Sequence, residues 1–460
     1  MVEDIQELEK IRKAGRTSIK EGSAAAIMEG FGNRYITPYA LTLGASNFFI
    51  GLISTLPILL GNLFQLHTLS LLKTRKRKTI VYISTFIQSL FWLPLILIGM
   101  IYLIYSNLSP IFPILLLIIY SIIVISGAVA SPAWNSWMKD LIIKDTGKYF
   151  GIRNRVVNLV IILSMFTAGI ILNFFNQRFV LLGFSIIFFI AMIGRLISSY
   201  LLFNQYEPNY TYSKESHYTL KSFIKRIPKS NFGLFVVFIS LTSFAISIAS
   251  PFFAVYMLKN LNFNYIQFTI VTISSIISTI LFMPSWGKFA DKYGNIKVLK
   301  ITGFLIPIIP FLWIMTIFLI SIPVEIIVLY LLIIELFSGF VWSGFNLSSA
   351  IFIYDAVSRE KMAVSITYFN ILNSLGAFIG AIIGGLIASL KLSLFNLDTL
   401  IFIFLLSGIL RIIIAISFGN KIKEVRIVSN LDFKEKIKRK LKDGQIFIWR
   451  YIGLKPIRIT

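Results

Sequence analysis

The sequence contains no cysteine, so the chain forms no disulfide and has no thiol for catalysis or metal binding. Only two of its 460 residues are histidines, and charged residues of both signs make up 14% of the chain. It shows no cluster of metal ligands, no nucleophile accompanied by a histidine base and no glycine-rich phosphate loop. We therefore expect neither an enzyme nor a protein with a bound metal or cofactor.

Long apolar runs are what the chain has instead. Hydrophobic residues make up 57% of it and the mean hydropathy is +0.82, which is outside the usual range of soluble domains. A helix of roughly 20 apolar residues crosses the hydrocarbon core of a bilayer. The sequence therefore predicts an all-α polytopic membrane protein with twelve transmembrane helices. The predicted spans are 22–42, 48–71, 79–105, 111–137, 155–175, 179–203, 232–257, 266–286, 298–320, 325–350, 362–389 and 398–419.

Positive charge is abundant, with 44 lysines and arginines against 20 acidic residues and a formal net charge of +24. Basic clusters such as 73–78, 139–155 and 214–229 alternate along the chain with connections that carry almost no charge. Basic loops stay on the cytoplasmic side of membranes. The alternation thus predicts a multi-pass protein of the cytoplasmic membrane with both termini in the cytoplasm. Anionic lipid headgroups, not nucleic acid, are the expected partners of the basic segments.

The two halves of the chain resemble each other. Arg195 and Arg411 are 216 positions apart, and Asp140 and Asp355, at the ends of the fourth and tenth spans, are 215 apart. A parallel repeat of this kind predicts two pseudo-symmetric six-helix bundles with a site between them. The predicted divisions are a cytoplasmic N-terminal segment (1–21), an N-terminal six-helix bundle (22–203), a cytoplasmic linker (204–231), a C-terminal six-helix bundle (232–419) and a basic cytoplasmic tail (420–460).

The most specific motif lies in the short loop between the eighth and ninth predicted spans. Gly287, Asp291, Lys292, Gly294 and Lys297 follow the pattern G-x-x-x-D-K-x-G-x-x-K. This pattern resembles the loop signature of the major facilitator superfamily, in the half of the chain where its second copy is expected. A glycine can adopt the positive φ of a tight turn, and an aspartate can cap a helix. An ordinary basic turn is the alternative interpretation.

The connections that follow Asp140 and Asp355 also resemble those of the superfamily. The first-half copy of the signature loop, 73–78, lacks its aspartate and glycine, and we interpret it only as a topological anchor. The resemblance implies a secondary transporter that exposes a midplane cavity alternately to each side, with a small-molecule substrate and, as a candidate coupling ion, the proton. A transport-dead receptor or scaffold of the same fold is the alternative. An enzyme acting on lipid-linked substrates would need acidic external loops, which the sequence lacks.

Ionisable residues at membrane depth are costly and mark candidate functional sites. Glu29, Asn33 and Arg34 lie in the first span, and Glu335 lies near the middle of the tenth. Glu29 and Arg34 are five positions apart, about 140° around a regular helix, so we expect Arg34 to pair with Glu335 across the cavity. Glu335 is the predicted proton carrier and Glu29 the second choice. A purely structural ion pair is the alternative.

Three amides in the tenth and eleventh spans complete the candidate site. Asn346, Asn370 and Asn373 can hydrogen-bond a polar substrate, although amides also hold membrane helices together. We expect Asp291 to cap a helix of the opposite bundle near Gly147 and so to stabilise one gate state. The tail from 421 to 460 combines basic with aromatic and apolar residues, which predicts a segment that lies on the anionic inner leaflet.

Overall fold

The structure is a computed structural model, and it describes residues 2–105, 110–142, 146–175, 179–208, 219–319, 321–358, 361–390, 399–419 and 421–426. Within these ranges the chain is helical and contains no strand. A chain in hydrocarbon must satisfy its backbone N–H and C=O groups internally, and helices do so within each segment. Eleven helical segments of the described ranges are long and apolar enough to cross a membrane. The more charged first segment completes the predicted twelve. Most of the predicted tail lies outside the described residues.

The N-terminal bundle is built from eight helices, of which two pairs form one span each: α1 with α2, and α4 with α5. Their bounds are α1 (Val2–Phe31), α2 (Ile36–Thr42), α3 (Asn47–Leu71), α4 (Arg77–Leu90), α5 (Trp92–Ile104), α6 (Ile111–Leu141), α7 (Thr146–Phe174) and α8 (Val180–Asn204).

The C-terminal bundle repeats this arrangement, with α10 and α11 forming one span and α13 and α14 another. A short helix, α9 (Leu220–Arg226), lies in the linker. The bundle comprises α10 (Asn231–Ser247), α11 (Ser250–Val255), α12 (Tyr265–Tyr293), α13 (Asn295–Leu305), α14 (Ile308–Ile314), α15 (Val324–Ala356), α16 (Met362–Ser389) and α17 (Thr399–Phe418).

The first span differs most from the prediction. α1 begins at Val2 and runs without interruption through the predicted boundary between 21 and 22. It then breaks at Gly32, and a 3-10 turn over Asn33–Tyr35 leads into α2. The seventh span breaks at the matching place, between α10 and α11. Pro38 and Pro251 follow these two breaks, and proline lacks the N–H that a continuous helix would use.

The bundles pack against each other at one end of the molecule. We call the end at which α8 ends and α10 begins the linker face, and the opposite end the far face. The largest cluster of buried apolar residues lies toward the far face and draws on both bundles, including Tyr39, Phe184, Phe252 and Phe404. Two further clusters, nearer the linker face, each belong to a single bundle. The structure is therefore closed at the far face.

Polar contacts at the far face agree with this packing. The Asn47 amide nitrogen donates to the backbone oxygen of Ala388 at 3.1 Å. The hydroxyl oxygens of Thr42 and Tyr265 are 3.4 Å apart. The first contact joins α3 to α16, and these two helices pack along much of their length. The N-terminal and C-terminal bundles thus meet along α3 and α16.

Candidate functional site

The three predicted asparagines line one cavity. It has a volume of about 450 Å³ and lies between α10, α15 and α16 of the C-terminal bundle. Asn346 projects from α15, and Asn370 and Asn373 project from α16. Ser243 of α10 donates to Asn373 Oδ1 at 2.6 Å. Its remaining polar and aromatic lining includes Ser247, Ser349, Trp342, Phe345 and Phe369.

This cavity borders the junction of the two bundles. The Asn62 amide of α3 donates to the Asn370 backbone oxygen at 3.2 Å, so the cavity wall at Asn370 also contacts the N-terminal bundle. Ser349 Oγ is buried and has no hydrogen-bond partner in the described part of the chain. A buried hydroxyl without a partner is costly. An uncharged wall of amides and hydroxyls with aromatic rings suits a ligand that offers polar but uncharged groups there.

Glu29, Asn33 and Arg34 form a cluster at the break in the first span. Arg34 Nε is 3.0 Å from Glu29 Oε1, and the Asn33 amide donates to Glu29 Oε2 at 2.7 Å. The expected separation of about 140° was wrong because it assumes a continuous helix, whereas the chain leaves α-helical geometry at Gly32. The Arg34 and Glu29 side chains are 41% and 31% exposed, so the pair is open to solvent.

Glu335 lies apart from this cluster, so the predicted pairing with Arg34 was also wrong. It is half-buried on α15, and its polar neighbours include Ser275, Ser338 and Trp313. None of these three carries a charge. Within the described residues Glu335 forms no ion pair. The structure therefore separates one neutralised carboxylate, Glu29, from one that has only neutral polar neighbours.

The signature loop forms the expected tight turn. α12 ends at Tyr293 and α13 begins at Asn295, and Gly294 between them adopts φ +92°. The N-terminus of α13 is capped by Glu424, whose Oε2 accepts from the Ile296 N–H at 2.8 Å. A Cβ on Gly294 would lie 2.4 Å from that same oxygen. Glycine is therefore needed at this position for the backbone conformation and for the approach of Glu424.

Within the described residues, Asp291 caps no helix of the opposite bundle. Its side chain is 74% exposed, and its nearest cation is Arg426 of its own bundle, at 3.6 Å. Lys292 and Lys297 lie over the ring of Tyr293 at 5.2 and 5.8 Å from its centroid. Gly287 is inside α12. The capping carboxylate is Glu424, which the sequence analysis missed because it lies far along the chain from the loop.

Asp140 forms an ion pair that ties three elements of the N-terminal bundle together. It accepts from Arg77 Nη1, and Arg77 Nε is 3.3 Å from Glu207, which follows α8. The Arg77 side chain is completely buried. Arg77 belongs to the 73–78 loop that the sequence analysis interpreted only as a topological anchor. That interpretation was incomplete, because the loop also supplies a buried cation at the start of α4.

Asp355 forms the corresponding polar network in the C-terminal bundle. We call this network and that of Asp140 the clasps of the two bundles. Arg426 Nε lies 2.7 Å from Asp355 Oδ2, and the Asn295 amide donates to the same oxygen at 2.9 Å. In both bundles an aspartate at the end of a long helix contacts the start of a neighbouring helix. The link to the segment after the last helix is made by Arg77 in the first bundle and by Asp355 itself in the second. The repeat partners Asp140 and Asp355 thus hold the linker-face end of each bundle together as a unit.

Known proteins supply an independent comparison. A family model described as Major Facilitator Superfamily matches residues 23–381 and, in a second match, residues 234–456. No curated protein matches the sequence significantly.

Solved transporter structures share the fold. A mutant of the nucleoside transporter NupG gives a TM-score of 0.67 at 15% identity, covering 89% of this chain and 100% of that one. A bacterial homologue of the iron transporter ferroportin, in an inward-facing state, gives 0.63 at 11% identity over 90% and 99%. A bacterial homologue of the human lysosomal transporter Spinster, inward-facing and unoccupied, gives 0.61 at 15% identity over 89% and 96%. At these identities the likeness concerns the fold alone.

The two glycines of the signature loop should respond differently to substitution. We expect Gly294→Ala to destabilise the protein by about 1–2 kcal/mol, since it combines an unfavourable φ with loss of a helix cap. Gly287→Ala should be neutral or slightly stabilising, because alanine is the better helix former and the nearest atom to its new Cβ is a leucine methyl at 3.7 Å. Thermal unfolding of the purified protein in detergent measures both. Equal effects of the two substitutions would contradict this assignment.

Proposed function

The chain belongs to the major facilitator superfamily and is a secondary transporter; on that premise we propose that it moves a small solute across the cytoplasmic membrane by alternating access, coupled to protons through Glu335. The observation that carries the proposal is the half-buried carboxylate of Glu335 among neutral neighbours, in a fold whose bundles share an apolar cluster toward the far face. Nothing in the described residues favours a transport-dead receptor or scaffold.

Alternating access is supported by the distribution of contacts between the bundles. The shared apolar cluster lies toward the far face, whereas the clasps of Asp140 and Asp355 at the linker face stay within their own bundles. Each bundle can therefore move as a rigid body about the α3–α16 and α7–α12 contacts. Such motion would separate the far face and bring the linker-face ends together, which exposes the cavity to the other side.

Proton coupling needs a carboxylate that is neutral in one state and charged in another. Glu29 is the second choice because it already forms an ion pair with Arg34 and accepts a hydrogen bond from Asn33. Glu335 has no such cation in the described residues, and an unpaired anion at membrane depth is costly. Protonation removes that cost, and opening of the cavity to water on one side lets the proton leave. This makes Glu335 the carrier and moves Glu29 to a structural role with Arg34.

Glu335→Gln should uncouple transport from protons. Glutamine imitates the protonated acid, so we expect exchange of solute across the membrane to persist while accumulation driven by a pH gradient is lost. The measurement is uptake into proteoliposomes of a solute identified by screening labelled sugars, nucleosides, amino acids and organic acids. Glu325→Gln is the matched control, because Glu325 is an exposed residue in the first turn of the same helix. Normal accumulation by the Glu335→Gln protein would refute the assignment.

The proposed orientation follows from the basic clusters and places the linker face in the cytoplasm. A single cysteine at Asn107 should react with an impermeant thiol reagent added to intact cells, and one at Ser216 should not. Both positions lie outside the described residues, and the chain contains no native cysteine to interfere. Labelling at Ser216 with protection at Asn107 would show that the orientation in the membrane is the reverse of the proposed one.

A further inference from the structure

A second polar cavity lies within the N-terminal bundle, separate from the asparagine-lined one. It has a volume of about 230 Å³ and is bordered by α1, α4, α6, α7 and α8. Its charged residues are Glu21, Arg153 and Arg195, and Ser131 and Trp134 of α6 form part of its wall. The sequence analysis assigned no function to this group of residues.

The charges of this cavity do not cancel. Glu21 is 3% exposed; its Oε2 is 3.2 Å from Arg153 Nη2, and its Oε1 is 3.9 Å from Arg195 Nη1. Ser198 also donates to Glu21 Oε1 at 3.0 Å. Two guanidinium groups therefore share one carboxylate, which leaves the lining with one excess positive charge. Such an excess in a partly buried cavity favours binding of an anion.

Each arginine keeps a free N–H edge. Arg153 Nε donates to the backbone oxygen of Ser18, and Arg195 Nε donates to Gln88 Oε1 at 2.7 Å. In the part of the chain that is described, Arg153 Nη1 and Arg195 Nη2 have no hydrogen-bond partner, and neither atom is completely buried. The Arg153 guanidinium also lies 4.6 Å from the ring centroid of Trp134, which holds it in a fixed plane.

The two cavities have one wall each that corresponds in the repeat. A shift of 215 positions carries the α6 wall of the charged cavity onto the α15 wall of the asparagine-lined cavity. Gly127, Ala130, Ser131 and Trp134 then correspond, in this order, to Trp342, Phe345, Asn346 and Ser349. The charged cavity adds Glu21, Arg153 and Arg195 to its wall, whereas the lining of the asparagine-lined cavity carries no charge. The two bundles therefore offer different chemistry, one cationic and one polar but uncharged.

We propose that the transported solute is an organic anion, whose carboxylate or phosphate group binds Arg153 and Arg195 in the cavity of the N-terminal bundle. This inference rests on the proposed transport function and specifies its substrate class. Planar guanidinium groups bind carboxylate and phosphate through paired N–H donors, and such charge-assisted bonds are about twice as strong as neutral ones. An uncharged solute would leave both free edges unsatisfied.

Ser131 provides a test that leaves the arginine network intact. It is exposed in the cavity and forms no side-chain hydrogen bond among the described residues. Ser131→Asp adds a carboxylate that cancels the excess charge, and Ser131→Asn adds a neutral group of nearly the same size. The Asn variant also reproduces the residue found at the repeat position, Asn346. The pair therefore separates the effect of charge from that of volume.

The experiment is titration calorimetry of the full chain in phosphatidylcholine nanodiscs. The probes are phenyl phosphate, benzoate and, as the uncharged comparison, benzyl alcohol. We expect at least one anion to bind about tenfold more tightly than benzyl alcohol, the size of effect that one charged hydrogen bond gives. Ser131→Asp and Arg153→Gln should each abolish that preference, whereas Ser131→Asn should retain it.

Two results would overturn the proposal. One is equal binding of anions and benzyl alcohol, or no binding of either anion, by the wild-type protein. The other is the same loss in Ser131→Asn as in Ser131→Asp. Competition by phosphatidylglycerol added to the nanodiscs would identify a lipid headgroup, not a solute, as the anion, and would likewise reject the substrate class. If these calorimetry experiments fail but the protein still exchanges solute in proteoliposomes, only the assignment of an anionic substrate is refuted. If the protein exchanges none of the solutes screened, the transport function itself is refuted.

Discussion

Close approach of α3 and α16 is the contact on which the rest of the structure depends. A Cβ on Gly51 would lie 2.6 Å from the Ala381 backbone oxygen, and one on Gly385 would lie 3.0 Å from Phe48 Cα. Small residues let membrane helices approach in this way, because lipid supplies no hydrophobic force between them and van der Waals packing must hold them together. Asn47 adds a hydrogen bond to Ala388 at the far end of the same contact. The two bundles, each held by its own clasp at the linker face, meet along this line.

Most ionisable groups in the interior have a partner of opposite charge. Glu29 is neutralised by Arg34, Glu21 is shared by two arginines, and buried Arg77 is neutralised by Asp140 and Glu207. These pairs fix positions within one bundle. Groups left incompletely matched are the ones through which a solute or a proton can act, because only they gain from a new partner. In the described residues these include Glu335, the free edges of Arg153 and Arg195, and Arg411, whose buried Nε has no hydrogen-bond partner.

The sequence predicted what depends on composition and local geometry. The spans, the two-bundle fold and the tight turn at Gly294 all follow from short stretches of chain, and the three asparagines proved to line one cavity. Errors arose where partners come from distant segments. Glu424 caps α13 across 128 positions, and Arg77 reaches Glu207 across 130; no local pattern indicates either pairing. The pairing of Glu29 with Arg34 was missed for a different reason, since one break at Gly32 changed the angular relation of two nearby residues.

The most direct test of the account asks whether the two faces move together. A leucine at Gly51 cannot fit against Ala381 while the far face is closed. Spin labels at exposed Ser46 and Ser389 report the far-face separation of α3 and α16, and labels at exposed Ser70 and Lys361 report their linker-face separation. Pulsed electron–electron resonance then measures both distances with and without Gly51→Leu. The account predicts that the far-face distance lengthens and the linker-face distance shortens together. Lengthening at the far face with no change at the linker face would contradict rigid-body alternation of the two bundles.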